Sequence, residues 1–253
     1  MSTGIAKEAC WSLNDKVALV TGAGVRLGRA IARELAAKGC DLVLHAFKST
    51  RDAEELAAEI QGAGRRAVVL CADLSRGAQT LKLAGRAERA FGRVDILVNS
   101  AGIFWPTPLK RLNEKELNAF LDINLKSPYI LSSEIGQRMR KRGAGAIVNV
   151  ACVSALRPWK THLPYSISKA ALVAMTVGMA KLLGPQVRVN AVAPGTVLPP
   201  EDMSSAKVEE LRQRLPLKKI GTPEDVAAAI VYLLEAPFVT GQVLCVDGGR
   251  VIV

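Results

Sequence analysis

Seven short aliphatic runs, each parted from the next by a longer segment, constrain this chain more than any other feature. They are KVALVT (16–21), DLVLH (41–45), AVVLC (67–71), VDILVN (94–99), GAIVNVA (145–151), VRVNAVA (187–193) and QVLCV (242–246). Their β-branched and aliphatic residues are nearly continuous, as in strands buried on both faces. Most of the intervening segments carry apolar residues at helical spacing, predicting helices over 26–38, 53–61, 78–91, 114–141, 165–183 and 223–234. Such alternation implies parallel strands with right-handed crossovers: a doubly wound α/β sheet of about seven strands with helices on both faces. No linker divides residues 1–253, so one domain is expected. The most irregular stretch, PGTVLPPEDM from residue 194, follows a strand's carboxyl end, where such sheets bind ligands. Residues 194–215 therefore read as a substrate-facing loop and short helix, or else as a plain surface excursion.

Hydrophobic residues make up 49% of the chain, enough to cover both faces of such a sheet. Five cysteines (10, 40, 71, 152 and 245) show neither a CxxC pair nor metal-ligand spacing. Reduced thiols, no metal and a cytoplasmic setting are expected. Cys40, Cys71 and Cys245 fall in or beside strands and read as small core residues. The segment MSTGIAKEACWSLNDK has no secretory hydrophobic stretch, and the longest apolar run, 170–180, is short for a bilayer. No membrane partner is expected. The formal charge is +11, yet basic residues group only in short runs such as RMRKR (138–142), which suit a helix end. Aromatics at 4% are too few for a base-stacking platform, so nucleic acid is not expected either. An anionic cofactor, an anionic substrate or an acidic carrier is the better use of the charge.

The first strand runs into TGAGVRLGRAIA (21–32). Gly22, Gly24 and Gly28 stand where a strand must reverse into a helix N-terminus, with Arg26 and Leu27 inside the turn. Glycine there lets backbone N–H groups approach a pyrophosphate. Any tight turn needs glycine; this one also follows a buried strand and opens a helix, the context of a Rossmann-type dinucleotide site. Folds of that type that prefer NAD end the second strand on a carboxylate. Here it ends HAFKST (45–50). Lys48 and Ser49, with Arg26, offer the donors a 2′-phosphate needs, so NADPH is the expected cofactor. The other reading leaves Arg26 and Lys48 as solvated surface charges. Asp73, after the third strand, suits either the adenine edge or a helix cap. His45 lies near this site without a role that its position alone reveals.

Tyr165 and Lys169 are four residues apart and share one helical face. Hydride reduction of C=O or C=N leaves negative charge on the heteroatom, where a proton must arrive. An unperturbed tyrosine, with a pKa of about 10, is a poor relay at neutral pH. A lysine one turn away favours the phenolate and is expected to lower that value.

Taken jointly, TG…LG (21–28), Asp73, the NSAG turn (99–102), Asn124 in LDINLKSPY, Tyr165-x-x-x-Lys169, Pro194-Gly195 and VTGQVLCVDGG (239–249) resemble the short-chain dehydrogenase/reductase family along essentially the whole chain. The resemblance implies that Asn99, Ala101, Gly102, Pro194 and Gly195 border the cofactor. It implies that Lys169 also holds the nicotinamide ribose and that Asn124 holds a proton-relay water. Arg26, LHAFKS (44–49), IFWPTPL (103–109) and VLPP (197–200) further resemble the pteridine-reductase branch. On that likeness Phe104 would stack on a pterin ring and Leu198 would border the substrate. Core packing is the other reading for Phe104 and Trp105. A homotetramer built through 114–141, 165–183 and the GRVIV segment is implied as well, although the sequence does not separate dimer from tetramer.

Thirteen residues before Tyr165 stands Cys152. Most members of the family carry serine there, to hydrogen-bond the substrate oxygen, and pteridine reductases carry aspartate. A thiol is a weak donor and replaces neither. Cys152 is then a weak stand-in, or Ser154 supplies the hydroxyl, or the substrate needs a soft apolar neighbour. The expected activity is NADPH-dependent reduction of a pterin-like heterocycle or small carbonyl, with Tyr165 as proton donor. One alternative is a β-ketoacyl carrier-protein reductase that docks an acyl carrier protein. Another is an NADPH-binding sensor or interaction protein whose catalysis is weakened at Cys152.

Overall fold

Strand sequences with no polar face need helices on both sides, and the computed structural model places them so. It describes residues 10–111, 113–199 and 203–253; residues 1–9, and residues 200–202 of the proline-rich stretch, on which expectations above drew, lie outside the described residues. Seven strands are found there: β1 (Val17–Thr21), β2 (Asp41–Ala46), β3 (Ala67–Cys71), β4 (Ile96–Asn99), β5 (Gly145–Val150), β6 (Val187–Pro194) and β7 (Val243–Val246). They form one parallel sheet in the order β3-β2-β1-β4-β5-β6-β7. The helices are α1 (Arg26–Ala37), α2 (Thr50–Gly62), α3 (Gly77–Phe91), α4 (Glu114–Leu121), α5 (Ser127–Arg142), α6 (Leu163–Leu183), α7 (Ser205–Arg214) and α8 (Pro223–Glu235).

The period of two along each strand divides the apolar residues between two cores. Ala18, Val20, Leu42, Leu44, Ile96 and Val98 face α1, α2 and α8 through Ile31, Leu35, Leu56, Ile60 and Ile230. Val17, Leu19, Val43 and Leu97 face α3, α5 and α6 through Leu83, Leu131, Ile135, Met179 and Leu183. Each fully buried Leu or Ile contributes about 1.5–3 kcal/mol. Between β1 and β4 the strand order reverses, so the segments leaving those strands part to opposite faces. A crevice opens at their carboxyl ends.

Three expectations change. The helix over 114–141 is α4 and α5 joined by one wide π-helical turn, Asp122–Lys126. Pro128 has no N–H, so the Asn124 carbonyl four residues back lacks its α-helical donor, and the ladder widens there. Cys40 is buried, but Cys71 is exposed and Cys245 only half-buried, because β3 and β7 are edge strands. Lastly, α6 extends well beyond 170–180 and by length and composition alone is apolar enough to cross a membrane. In the fold, Ser168, Lys169 and Thr176 lie on its buried side against the protein. The basic run ends α5, where Arg142 pairs with Glu88 of α3 and donates to the Val94 carbonyl.

Candidate active site

The crevice at the β1/β4 switch point holds a cleft of about 670 Å³, bordered by the glycine turn, the ends of β2 and β3, and residues 100–103. Gly22 has φ +67°, a left-handed conformation that other L residues adopt only with strain. At Gly28 a Cβ would lie 2.0 Å from the Gly22 carbonyl oxygen, so no other residue permits helix α1 to start this close to the strand. Val25, which precedes α1, provides no side-chain cap, and the first turn carries no acid. The α1 N–H groups are therefore left for an anion.

His45 holds this turn. Its Nδ1 accepts from the Gly22 N–H at 3.2 Å, which leaves Nε2 to donate to the Ala72 carbonyl at 3.0 Å. Burial pushes its pKa down, consistent with a neutral ring in that tautomer. The sequence signal was a polar residue inside the otherwise apolar run DLVLHA.

Leu27, Lys48, Ser49, Asp73, Ala101 and Gly102 all border the cleft. Asp73 is its one carboxylate, already engaged: Oδ1 accepts from Ser75 N–H (3.0 Å) and Oγ–H (2.7 Å), and Arg76 pairs at 3.4 Å. These contacts hold its pKa below the usual range; they brace the turn before α3 and do not cap that helix, whose N-cap is Arg76 without a side-chain bond. Arg26 also borders the cleft, in a left-handed conformation (φ +51°). Its guanidinium does not join Lys48 and Ser49 but donates to the Leu198 carbonyl at 2.9 Å, tying the glycine turn to the loop after β6. Three further residues are not brought to the cleft wall. Asn99 is buried, donating to Ser132 Oγ (3.1 Å) and Asn149 Oδ1 (2.8 Å) inside the sheet–helix layer. Its side chain is engaged within the fold, which leaves only its backbone for the cofactor role expected of it. Pro194 ends β6 and the Gly195 N–H bonds the Val246 carbonyl of β7 at 3.0 Å.

At its inner end the cleft meets a buried polar group. A Cβ on Gly102 would lie 3.2 Å from Asn124 Oδ1 and 3.6 Å from Lys169 Nζ, so both lie just behind the cleft wall. Asn124, fully buried, accepts from Ile103 N–H (2.9 Å) and donates to Ser168 Oγ (3.1 Å). Lys169 donates to the Val150 carbonyl at 2.7 Å, and its Nζ lies 5.8 Å from the centre of the Tyr165 ring. Burial brings its pKa down from 10.5 to about 8. The Tyr165 phenol moves the opposite way from the sequence expectation. Burial pushes it well above its ordinary value, and the adjacent Cys152 side chain adds to the shift. The hydroxyl is thus a protonated phenol in this state, able to donate.

Cys152 packs with Tyr165, Phe120 and Val153, and its Sγ accepts weakly from the Ser154 N–H at 3.5 Å. Ser154 is fully buried, its Oγ has no hydrogen-bond partner among the described residues, and it does not border the cleft. Phe104 is 48% exposed, lies parallel to His162 at 4.5 Å and stands edge-on to Tyr165 at 4.9 Å. His162 was not assigned by the sequence, although the spacing His162-x-x-Tyr165 places it at the helix entrance. Trp105 packs on Phe120 at 4.5 Å, as core packing requires.

A dinucleotide-type cleft running to a buried tyrosine–lysine pair defines a nicotinamide-dependent oxidoreductase. The chain belongs to the short-chain dehydrogenase/reductase family. A family model described as enoyl-(acyl carrier protein) reductase matches residues 22–250. The chain is 38% identical over 244 residues to an uncharacterized oxidoreductase of Mycobacterium tuberculosis, covering 94% of this chain and 92% of the relative. It is 35% identical over 245 residues to a 3-oxoacyl-[acyl-carrier-protein] reductase of Synechocystis, covering 95% and 98%. Among solved structures, the alternative dihydrofolate reductase FolM from Brucella canis, complexed with NADP, superposes with a TM-score of 0.90 at 29% identity, covering 96% of each chain.

Proposed function

We propose that this chain is an NADPH-dependent reductase of C=N or C=O bonds in a pterin-like heterocycle or small carbonyl compound, with Tyr165 as proton donor. The observation that carries the reading is the position of Gly102, on the cleft wall, where a Cβ would meet both Asn124 Oδ1 and Lys169 Nζ. Lys169 Nζ is also 5.8 Å from the centre of the Tyr165 ring, so the lysine lies near both the nucleotide cleft and the protonated phenol. The glycine turn and open α1 N-terminus suit a pyrophosphate. Lys48 and Ser49, with no free carboxylate beside them, suit a 2′-phosphate. The bound NADP of the FolM structure supports the same choice.

Bound NADPH supplies the hydride. Tyr165 gives its hydroxyl proton to the substrate heteroatom as negative charge builds there. The Lys169 ammonium stabilises the phenolate that this leaves. Asn124 fixes residues 102–103 against α6, and its backbone carbonyl, which Pro128 deprives of the α-helical donor, would hold the water that re-protonates the tyrosine. Arg26 and Leu198 close the substrate side. Phe104, half-exposed beside Tyr165, offers a ring face or edge to a flat substrate. Self-association into a homotetramer through α5 and α6 is part of this reading, supported by exposed Tyr129 and Ile167, and would show as a solution mass of four chains.

A second reading is favoured by the Synechocystis relative: a β-ketoacyl carrier-protein reductase, using the same Tyr165 and Lys169. NADPH oxidation on dihydrobiopterin, dihydrofolate and an acetoacetyl thioester separates the two. Tight NADPH binding with turnover on none of these, nor on generic ketones and quinones, would instead favour a sensor.

Two variants test parts of the site. Lys48→Ala should weaken NADPH by roughly 10-fold, the worth of one charge-assisted hydrogen bond, and NADH far less. Equal losses on both nucleotides would remove the 2′-phosphate site from Lys48. Cys152→Ser should raise ketone turnover roughly 5–10-fold if a donor is what the site lacks. Cys152→Asp should shift preference toward pterins. No change in either variant would separate position 152 from the substrate.

A further inference from the structure

We propose that a second cleft, between Trp159 and Arg250, binds the carboxylate or phosphate of an anionic substrate whose reducible group lies at Tyr165. The inference rests on the reductase reading above and names the substrate class. The cleft measures about 460 Å³ and is walled by Arg157, Trp159, Arg214 and Arg250 with apolar Val153 and Val251.

Its charges are not arranged for stability. Among the described residues, neither Arg157 nor Arg250 forms an ion pair, while Arg214 is held by Glu210 of its own helix at 2.5 Å. Arg250 is half-buried, with its guanidinium carbon 4.8 Å from the centre of the Trp159 ring and a bond donated to Thr196 Oγ1. Asp247 lies near but is occupied: Oδ1 accepts from Gly249 N–H (2.9 Å) and Oδ2 from Val251 N–H (2.7 Å). Burial is the largest influence on Arg250 and disfavours its cationic form; Cys152 and the Asp247 carboxylate offset part of this, and the Arg214 charge adds to it. A half-buried cation with no direct ion pair among the described residues, Asp247 acting on it only at longer range, is a costly arrangement that a bound anion relieves. A guanidinium held over an indole face at this distance keeps its N–H donors for bidentate contact with carboxylate or phosphate.

The cleft adjoins the reacting end. Val153, Trp159 and Val251 pack on the cluster that holds Cys152 and Tyr165. Trp159 stands edge-on to Phe104 at 6.2 Å, and Phe104 to Tyr165 at 4.9 Å. A substrate with a flat apolar body would lie along these rings, its anion on Arg250 and its C=O or C=N at the phenol. The weak donor Cys152 then matters less, because orientation comes from the far end of the substrate.

The test uses 4-acetylbenzoate, 4-acetylbenzamide and 4-acetylphenyl phosphate. Calorimetric titration of each into the full-length enzyme–NADP⁺ complex measures binding without turnover, and NADPH oxidation measures reduction separately. The wild type should bind at least one anion about 10-fold more tightly than the neutral amide, and Arg250→Gln should abolish that preference while its affinity for the amide and for NADPH stays. Arg157→Gln, at an exposed position, should reduce it in the same direction and covers the case of an unfolded Arg250 variant. Whichever anion binds tighter identifies the group the site reads. Equal affinity for anion and amide, no binding of either anion, or a preference that survives Arg250→Gln would overturn the proposal. So would a changed oligomeric mass in Arg250→Gln with the preference intact, which would assign the cleft to subunit contact. An intact anion preference without reduction of any probe would count against the reductase reading and leave the site standing.

Discussion

Replacing Tyr165 with phenylalanine is expected to lower NADPH-dependent turnover by about 10²–10⁴-fold, the usual contribution of a positioned general acid. NADPH affinity, read by fluorescence titration, should survive. The substitution removes one oxygen and keeps the ring, so the contacts with Phe104 at 4.9 Å and Phe120 at 6.2 Å remain. Lys169 keeps its bond to the Val150 carbonyl, and the Asn124 contacts with Ile103 and Ser168 do not involve the phenol. The lost oxygen is the one group beside Cys152 that burial holds in its protonated form. A thiol does not substitute for it as a donor. Turnover within a few-fold of the wild type would remove Tyr165 as the proton source. Lost NADPH binding would show that the hydroxyl serves the cofactor.

Those parts of the fold that repeat were legible in the residues. Strands buried on both faces read as continuous aliphatic runs, and all seven runs became strands of the one sheet. What stayed hidden was one local backbone effect and several contacts between residues distant in sequence. The π-helical turn at Asp122–Lys126 required noticing that Pro128 withholds the N–H that Asn124 would have received. The role of His45 required knowing that β2 lies beside the end of β1, so that its Nδ1 meets the Gly22 N–H. Arg26 was legible as a cation in the glycine turn but not as a bridge to Leu198, 172 residues away. The direction of the Tyr165 shift was misread for a related reason. Sequence spacing reveals a lysine one turn away but not how deeply the phenol is buried, and burial dominates here. Arg250 and Trp159 come together only through the folded C-terminal turn, so no local pattern could pair them.

That same burial makes the rate pH-dependent through the lysine rather than the tyrosine. Lys169, brought down to about 8, is an ammonium below that pH and a neutral amine above it. Only the ammonium stabilises the phenolate that forms as Tyr165 gives up its proton. Reduction should therefore be fastest on the acidic side of about pH 8 and fall as pH rises through it. The relevant quantity is kcat/KM for NADPH, which reports groups of the free enzyme. Tyr165 does not set this limb, because burial and Cys152 keep the phenol protonated to far higher pH. Lys169→Met should lose turnover by about 10²-fold or more, and the activity that remains should show no titration near pH 8. The methionine fills the same apolar space, so a circular-dichroism melt near that of the wild type would show that the fold is kept. A wild-type profile flat from neutral pH to 10, or an unchanged limb in Lys169→Met, would remove the lysine from the proton-transfer step. It would leave Lys169 with the single role its bond to Val150 already gives it, fastening α6 to the end of β5.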